Sequence, residues 1–511
     1  MPQTFLYEPL TPAPVVQTTH GKVQGRWQNA TSAAYLGIPF AAAPFGEHRF
    51  TAPVDPEPWD GVRQTVDYGP TPQRRPFGDL VTIPEPSIPG ESVLNVNVFT
   101  PAPRDRSAKL PVLVWIHGGG WFAGSPASPW YNGSTFNARG IVTVTVSYRL
   151  GFDGFGWMDG APLNRGTLDQ IKALEWVRDN IAAFGGDPDR VTIAGQSAGG
   201  GNVMVLASSP KARGLFRSVI SESGSFGTPT VADAMIGGRK LAERLGVKPT
   251  IDGFRTVDHD TILDNERKTN HTEGVPSAVL DADTLLGVLR DGLLDKNGMI
   301  YVPVVDGEVL TRPIAASQTA GAGNDVSVLM GTTRNEMKFS MPNGPTLADT
   351  VSAFKTAGLS DDAIGHFTAE IDKLDGEEYI PGQIMTTMTF SVGLASIAAA
   401  RRAAGVGDRT WLYDFAQQSS TDNACTHCAD IPYFFGNLDA VKVEQVLGHH
   451  PSQYLASVMN GLWAEFIATG RLSRPTVDDH PYGAIRLQGD ATYDPEAYRF
   501  PYELLTHAAA Q

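Results

Sequence analysis

The spacing of apolar positions divides this chain into strand-length and helix-length pieces. Residues 110–116 are an unbroken apolar run, and residues 141–147 are a second one rich in β-branched side chains. Both predict central strands covered on two faces. Between 93 and 100, Val and Leu alternate with Asn, which predicts a half-buried strand. Residues 167–181 place Leu168, Ile171, Leu174, Val177 and Ile181 on one helical face, with Thr167 and Gln170 at capping-box spacing. Gly185-Gly186-Asp187-Pro188 stops that helix, and the run 191–194 starts another strand. Strand, helix and strand in this order imply right-handed parallel crossovers and an α/β sheet with covered faces.

The rest of the pattern extends the same architecture. Residues 18–63 are rich in turns and suit short strands joined by Gly and Pro, and 73–90 is a Pro-punctuated loop. Residues 231–245 predict a helix, and 301–307, 326–331 and 410–415 predict strands. Residues 454–468, with Trp463 and Phe466, predict an amphipathic helix. Two stretches leave this rhythm: 248–299 reads as polar and irregular, and 347–405 as largely helical. With no internal repeat and no low-complexity linker, the expectation is a single domain over residues 1–511, with these two insertions covering the active-site side.

Charge and cysteine content narrow the function classes. The formal net charge is -15 and no basic stripe is present, which argues against a nucleic-acid partner. No apolar run is long enough to span a bilayer and residues 1–16 lack a leader pattern, so neither membrane insertion nor export is expected. The two cysteines, Cys425 and Cys428, exclude a disulfide scaffold and fit a reducing, cytoplasmic compartment.

The chemistry concentrates at Gly195-Gln196-Ser197-Ala198-Gly199, which directly follows the apolar run 191–194 and precedes a Gly-rich, helix-compatible segment. Strand, sharp turn and helix with a serine at the apex is the nucleophile-elbow pattern, in which small neighbours permit a strained backbone. Such a serine needs a base, an acid to orient the base, and hydrogen-bond donors for an oxyanion. His117-Gly118-Gly119-Gly120-Trp121, just after the strand 110–116, supplies glycines whose N–H groups can turn inward. The N–H groups of Gly119, Gly120 and Ala198 are the predicted oxyanion hole.

These motifs, in this order, resemble the type-B carboxylesterase (cholinesterase-like) family of α/β hydrolases. The resemblance runs over most of the chain. It includes Gly37-Ile38-Pro39-Phe40-Ala41, Trp59-Asp60-Gly61-Val62, Ser147-Tyr148-Arg149-Leu150-Gly151, Phe184-Gly185-Gly186-Asp187-Pro188 and Pro303-Val304-Val305-Asp306-Gly307. It implies an α/β-hydrolase fold, with a mostly parallel central sheet flanked by helices. The family's acid lies in a G-x-x-x-x-E segment, matched by Gly331-Thr332-Thr333-Arg334-Asn335-Glu336. Its histidine precedes a segment matched by His427-Cys428-Ala429-Asp430-Ile431-Pro432-Tyr433-Phe434-Phe435-Gly436, with Asp in place of Glu. The resemblance therefore implies a Ser197, Glu336, His427 triad.

The implied activity is hydrolysis of uncharged carboxylic esters through an acyl-enzyme, with no metal or cofactor, by a monomer or homodimer. Trp121 and Phe122 beside the oxyanion loop, and Phe339, are expected to line the substrate pocket. A three-glycine loop leaves backbone room for bulky or tertiary alcohol esters; amides, carbamates and lactones are the chemical rivals. Family members that only mediate adhesion lose the nucleophile, which this chain keeps. Three departures from the family pattern matter. Gln196 stands where Glu is usual, the 73–90 loop has no Trp for a quaternary ammonium, and Ser92 occupies the place of a disulfide cysteine. Cys425 and Cys428 bracket His427, where zinc ligation would consume the base and a redox switch is chemically conceivable.

Overall fold

The structure is a computed structural model that describes residues 11–76, 83–269, 279–295 and 299–508. Its strands are β1 (Pro12–Gln17), β2 (Lys22–Asn29), β3 (Ser32–Pro39), β4 (Val62–Gln64), β5 (Asn95–Thr100), β6 (Leu110–Ile116) and β7 (Val142–Val146). Then come β8 (Gly186–Gln196), β9 (Ser218–Glu222), β10 (Ser327–Thr333), β11 (Thr410–Phe415), β12 (Ala484–Gln488) and β13 (Asp490–Asp494). They form one sheet in the order β1-β2-β3-β5-β7-β6-β8-β9-β10-β11-β12-β13, with β4 beside β2. From β7 through β12 every neighbouring pair is parallel, while β1, β2, β3, β5 and β7 pair antiparallel along one side. This is the α/β-hydrolase fold expected of the sequence.

The β6 and β7 runs form strands because both faces are covered. Val112, Val114 and Ile116 point into one apolar cluster, and Leu113 and Trp115 point into the other. Strand order turns back at β6, which lies between β7 and β8. Such a reversal opens a crevice at the carboxyl ends of the strands, and that is where the candidate site lies.

Four local expectations need correction. The strand at 93–100 is fully buried rather than half-buried, because its polar residues are internally satisfied. Asn97 Oδ1 accepts from the Gly37 N–H (2.9 Å) and its Nδ2 donates to Thr145 Oγ1 (2.9 Å). Asn95 Nδ2 donates to the Pro70 and Ser92 carbonyls. The helix predicted from Thr167 begins at Arg165, and Thr167 and Gln170 are buried inside it instead of capping it. The Arg165 guanidinium gathers four carbonyls, those of Phe152, Asp153, Gly156 and Pro162, and so anchors that end.

Residues 301–307 are not a strand of the sheet. Asn164, held in the left-handed region (φ 56°), accepts the Val304 N–H and donates to the Val304 carbonyl, taking the place of a strand neighbour. The 248–299 stretch is helical where described, with helices at Ile251–Arg255, His259–Glu266 and Ala282–Arg290. Thr250, Asp258 and Asp281 cap their N-termini through side-chain oxygens. Residues 270–278 and 296–298 of this stretch lie outside the described residues, as do 77–82 of the 73–90 loop.

The second insertion is helical, as expected, with helices at Leu347–Thr356 and Asp361–Leu374 and a long continuous one at Glu377–Ala403. That last segment, 27 residues, is long and apolar enough to cross a membrane, which the short apolar runs of the sequence did not suggest. In the fold 61% of its most apolar stretch is buried against the rest of the molecule, so it serves as a core helix. It contains one π-helical turn, Thr387–Ser391.

Candidate active site

Turns after β6, β8 and β10, and the longer loop after β11, meet at the carboxyl edge of the sheet. Ser197 occupies the turn between β8 and the helix Ala198–Ser208, with φ 60° and ψ -124°. A non-glycine residue reaches that conformation only under constraint. Here the Ser197 N–H is held by the Glu222 carbonyl (2.8 Å) and the Ser197 carbonyl by the Gly201 N–H (2.9 Å). A side chain at Gly199 would put its Cβ 2.1 Å from the Ile116 carbonyl oxygen, so glycine alone permits this approach of helix to strand. Ser197 is half-buried and therefore reachable from solvent.

The loop after β6 folds back on itself: the Phe122 and Ala123 N–H groups both donate to the Gly119 carbonyl. Gly119 and Gly120 hold φ of 112° and 60°. A Cβ on Gly118 would lie 3.1 Å from Ser197 Cβ, which puts the loop against the serine. Among the described residues, the N–H groups of Gly119, Gly120 and Ala198 have no internal acceptor. The Ala198 N–H also stands at the positive end of a helix dipole. Three unspent donors beside one hydroxyl form a site for a negative oxygen.

His117 braces this loop. Its Nδ1 bonds the Gly118 carbonyl (2.8 Å) and its ring stacks on Tyr148 at 4.7 Å. Burial lowers its pKa to about 4, so it stays neutral. Trp121 points back into the fold, its Nε1 donating to Asn202 Oδ1 (2.9 Å) on the helix after Ser197. Phe122 is buried and has the Arg267 guanidinium 4.8 Å over its ring. Phe339 is half-buried, three residues past Glu336, with its backbone against Gly382. Among the described residues, no ring contact joins Phe339 to His427.

Glu336 and His427 meet although 91 residues apart. The loop after β11 is tied to Asn335 and Glu336: the Asn335 N–H donates to the Cys425 carbonyl and the His427 N–H to the Glu336 carbonyl, both at 3.1 Å. This aligns His427 Nδ1 with Glu336 Oε2 at 2.5 Å, while Glu336 Oε1 accepts the Thr333 N–H at 2.8 Å. The Glu336 side chain is fully buried and the imidazole is 25% exposed. Burial opposes the imidazolium, but Cys428 and the Glu336 carboxylate favour it more, so the pKa of His427 lies well above its ordinary value.

Ser197 Oγ has no hydrogen-bond partner among the described residues. The Nε2 of His427 is instead 3.2 Å from the side-chain nitrogen of Gln196.

The sequence reading missed several neighbours of the histidine. Phe390, on the π-helical turn, packs its ring 4.9 Å from the imidazole. Glu222 and Asp430 are fully buried nearby. Glu222 Oε1 accepts from Trp463 Nε1 (3.0 Å), and Asp430 Oδ2 accepts from the Tyr413 hydroxyl (2.9 Å). Among the described residues, Glu222 Oε2 and Asp430 Oδ1 have no hydrogen-bond partner. Burial, then the charge of Asp430, pushes the Glu222 carboxyl well up; burial, then Glu336, raises Asp430 to about 7. Both cysteines are free and buried. Cys425 Sγ donates to Asn335 Oδ1, and burial pushes its thiol well up, which makes it a poor nucleophile.

Residues 12–488 match the model of the carboxylesterase family. The chain is 31% identical to the para-nitrobenzyl esterase of Bacillus subtilis (strain 168) over 479 residues, which cover 91% of each sequence. It is 32% identical to carboxylesterase 1D of Mus musculus, over 80% of this chain and 76% of that one. Among solved structures, a PNB esterase superposes with a TM-score of 0.75 at 29% identity, covering 96% of this chain and 99% of that one. The carboxylesterase of Geobacillus stearothermophilus does so with a TM-score of 0.74, at the same identity and coverage. The chain therefore belongs to the carboxylesterase family, as a carboxylic ester hydrolase of the α/β-hydrolase fold.

Proposed function

We propose that the chain hydrolyses uncharged carboxylic esters by a Ser197, His427, Glu336 triad through an acyl-enzyme. The observation that carries this reading is the buried 2.5 Å contact of His427 Nδ1 with Glu336 Oε2, next to a serine flanked by three unspent N–H donors. A proton on Nδ1 makes Nε2 the ring nitrogen that accepts one. Ser197 Oγ attacks the ester carbonyl as His427 takes its proton, and the carbonyl oxygen becomes an oxyanion held by Gly119, Gly120 and Ala198. Each of these donors is worth about 3 kcal/mol of barrier. The imidazolium returns its proton to the departing alcohol. Water then attacks the acyl carbonyl by the same route, releasing the acid and restoring the serine.

In this reading Phe122, directly after the oxyanion loop, and Phe339 furnish apolar wall, while Trp121, turned back into the fold against Asn202, supports the loop from behind instead of lining the pocket as expected. The open glycine loop suits bulky and tertiary alcohols. The names of the similar para-nitrobenzyl esterases support an aromatic alcohol side. A fluorophosphonate probe is expected to label wild type and not Ser197→Ala. Near wild-type hydrolysis of p-nitrophenyl acetate by Ser197→Ala would sink the proposal.

A further inference from the structure

We propose that Gln196 is a positioning residue for the base: its side-chain amide occupies the Nε2 lone pair of neutral His427 in the resting site and sets the pH at which that base becomes available. This rests on the reading of His427 as the base. The 2.5 Å contact with Glu336 requires a proton on Nδ1, because two bare acceptors would repel at that distance. Nε2 of the neutral ring is then an acceptor only. Gln196, with 1% exposure, presents its NH2 group there at 3.2 Å. Ser197 and Gln196 therefore compete for one lone pair, and in the resting site the amide holds it.

The same contact discriminates between protonation states. Once Nε2 carries a proton, an N–H faces an NH2 group, a donor opposite a donor. The amide thus favours the neutral imidazole over the imidazolium. The other groups around the ring act differently. Glu336, from the turn after β10, favours the cation, as do Cys428 and Asp430 on the histidine's own loop. Glu222, at the end of β9, faces Asp430, and Phe390 from the long helix is uncharged. Gln196 is the group on β8 that opposes this cation-favouring set.

The test is the pH dependence of kcat/KM for p-nitrophenyl acetate, followed by pH-stat from acid to alkaline pH. It is run on wild type, Gln196→Glu and Gln196→Met, each shown folded by its circular dichroism spectrum. A carboxylate at Nε2 stabilises the imidazolium, so the acid limb of Gln196→Glu is expected to move up by about one pH unit or more. Gln196→Met removes the donor without adding charge, and its acid limb is expected to fall between the other two. Acid limbs that coincide in all three proteins overturn the inference, as does a downward move in Gln196→Glu. If Gln196→Glu does not fold, the upward move of Gln196→Met alone decides. His427→Ala with fluorophosphonate separates the layers. Labelling at the wild-type rate overturns the base assignment itself, whereas lost labelling with coincident acid limbs overturns only the role of Gln196.

Discussion

Glu336→Gln tests the triad through one proton. The carboxylate serves two donors at once, Thr333 N–H at Oε1 (2.8 Å) and His427 Nδ1–H at Oε2 (2.5 Å), and it is fully buried. A glutamine there has one oxygen and must choose. If the oxygen stays on Nδ1–H, the NH2 group faces the buried Thr333 N–H, and leaving that donor unpaired costs about 1–3 kcal/mol. If the oxygen turns to Thr333, the NH2 group faces Nδ1. The proton must then move to Nε2, which can no longer accept from Ser197. The backbone donor thus biases the site toward the unproductive tautomer by a factor of about 5 to 150. The amide also forfeits a charge-assisted bond to the imidazolium, worth about 1.5–3 kcal/mol. Together these predict a fall in kcat/KM of roughly 10² to 10⁴, comparable to about 10⁴ for the analogous change in other triads. The assay is p-nitrophenyl acetate hydrolysis at alkaline pH, with the variant's thermal unfolding recorded alongside. A folded variant within tenfold of wild type would refute the reasoning, because neither tautomer nor charge would then matter.

Two further outcomes follow from other parts of the structure. Burial raises the Glu266 carboxyl from 4.5 to about 7, where its Oε2 accepts the Phe152 N–H at 2.7 Å. The folded state holds this proton more tightly than the unfolded state, so the contribution is whole below about pH 4.5 and is lost as pH rises through about 7, a change of about 3 kcal/mol. Glu266→Gln keeps an acceptor for Phe152 and cannot ionise. Its unfolding midpoint is expected to decline less than wild type between pH 5 and 8, and parallel curves would contradict this. On the substrate side, turnover of tert-butyl and p-nitrobenzyl acetates by wild type is expected from the open glycine loop. Failure on the tertiary ester, with p-nitrophenyl acetate still hydrolysed, would limit the alcohol side to unbranched groups.

The sequence revealed those elements whose cause is local. Residues 110–116 and 410–415 are β6 and β11 to the residue, since a two-face-buried strand has to be a short apolar run. The helix at 231–245 agrees as closely because Thr230 and Asp233 form its capping box within the same turn. Where long-range partners decide, the local pattern misleads. Residues 301–307 look like a strand, yet Val304 pairs with the side chain of Asn164 and Val305 makes a single isolated bridge to Thr230. Thr167 and Gln170 have capping-box spacing, yet the neighbouring chain extends the helix past them and buries both. The 248–299 helices at Ile251–Arg255 and His259–Glu266 are short and bury few apolar side chains, and the nine-residue one at Ala282–Arg290 has an apolar face of Ala282, Leu285, Val288 and Leu289, so the N-caps Thr250, Asp258 and Asp281 are the local signals that mark where all three begin.

The same division runs through the site. Ser197 and its glycines are legible because the strained turn and the close approach to Ile116 fix small residues at fixed offsets. Glu336 and His427 rest on resemblance alone in the sequence. The reason they meet, the pairing of the loop after β11 with Asn335 and Glu336, is a contact between segments 90 residues apart. Phe390 lies in a stretch that shows no chemistry by itself. A π-helical turn brings its ring to the imidazole, and no spacing rule reports such a turn. Gln196 is the instructive case, since the sequence records a missing charge beside the nucleophile and the structure supplies the consequence. A glutamate there would be a third carboxylate around an imidazole that Glu336 and Asp430 already bias toward the cation. A neutral donor at Nε2 opposes that bias instead of adding to it, so Gln196 serves the function of His427 by withholding charge.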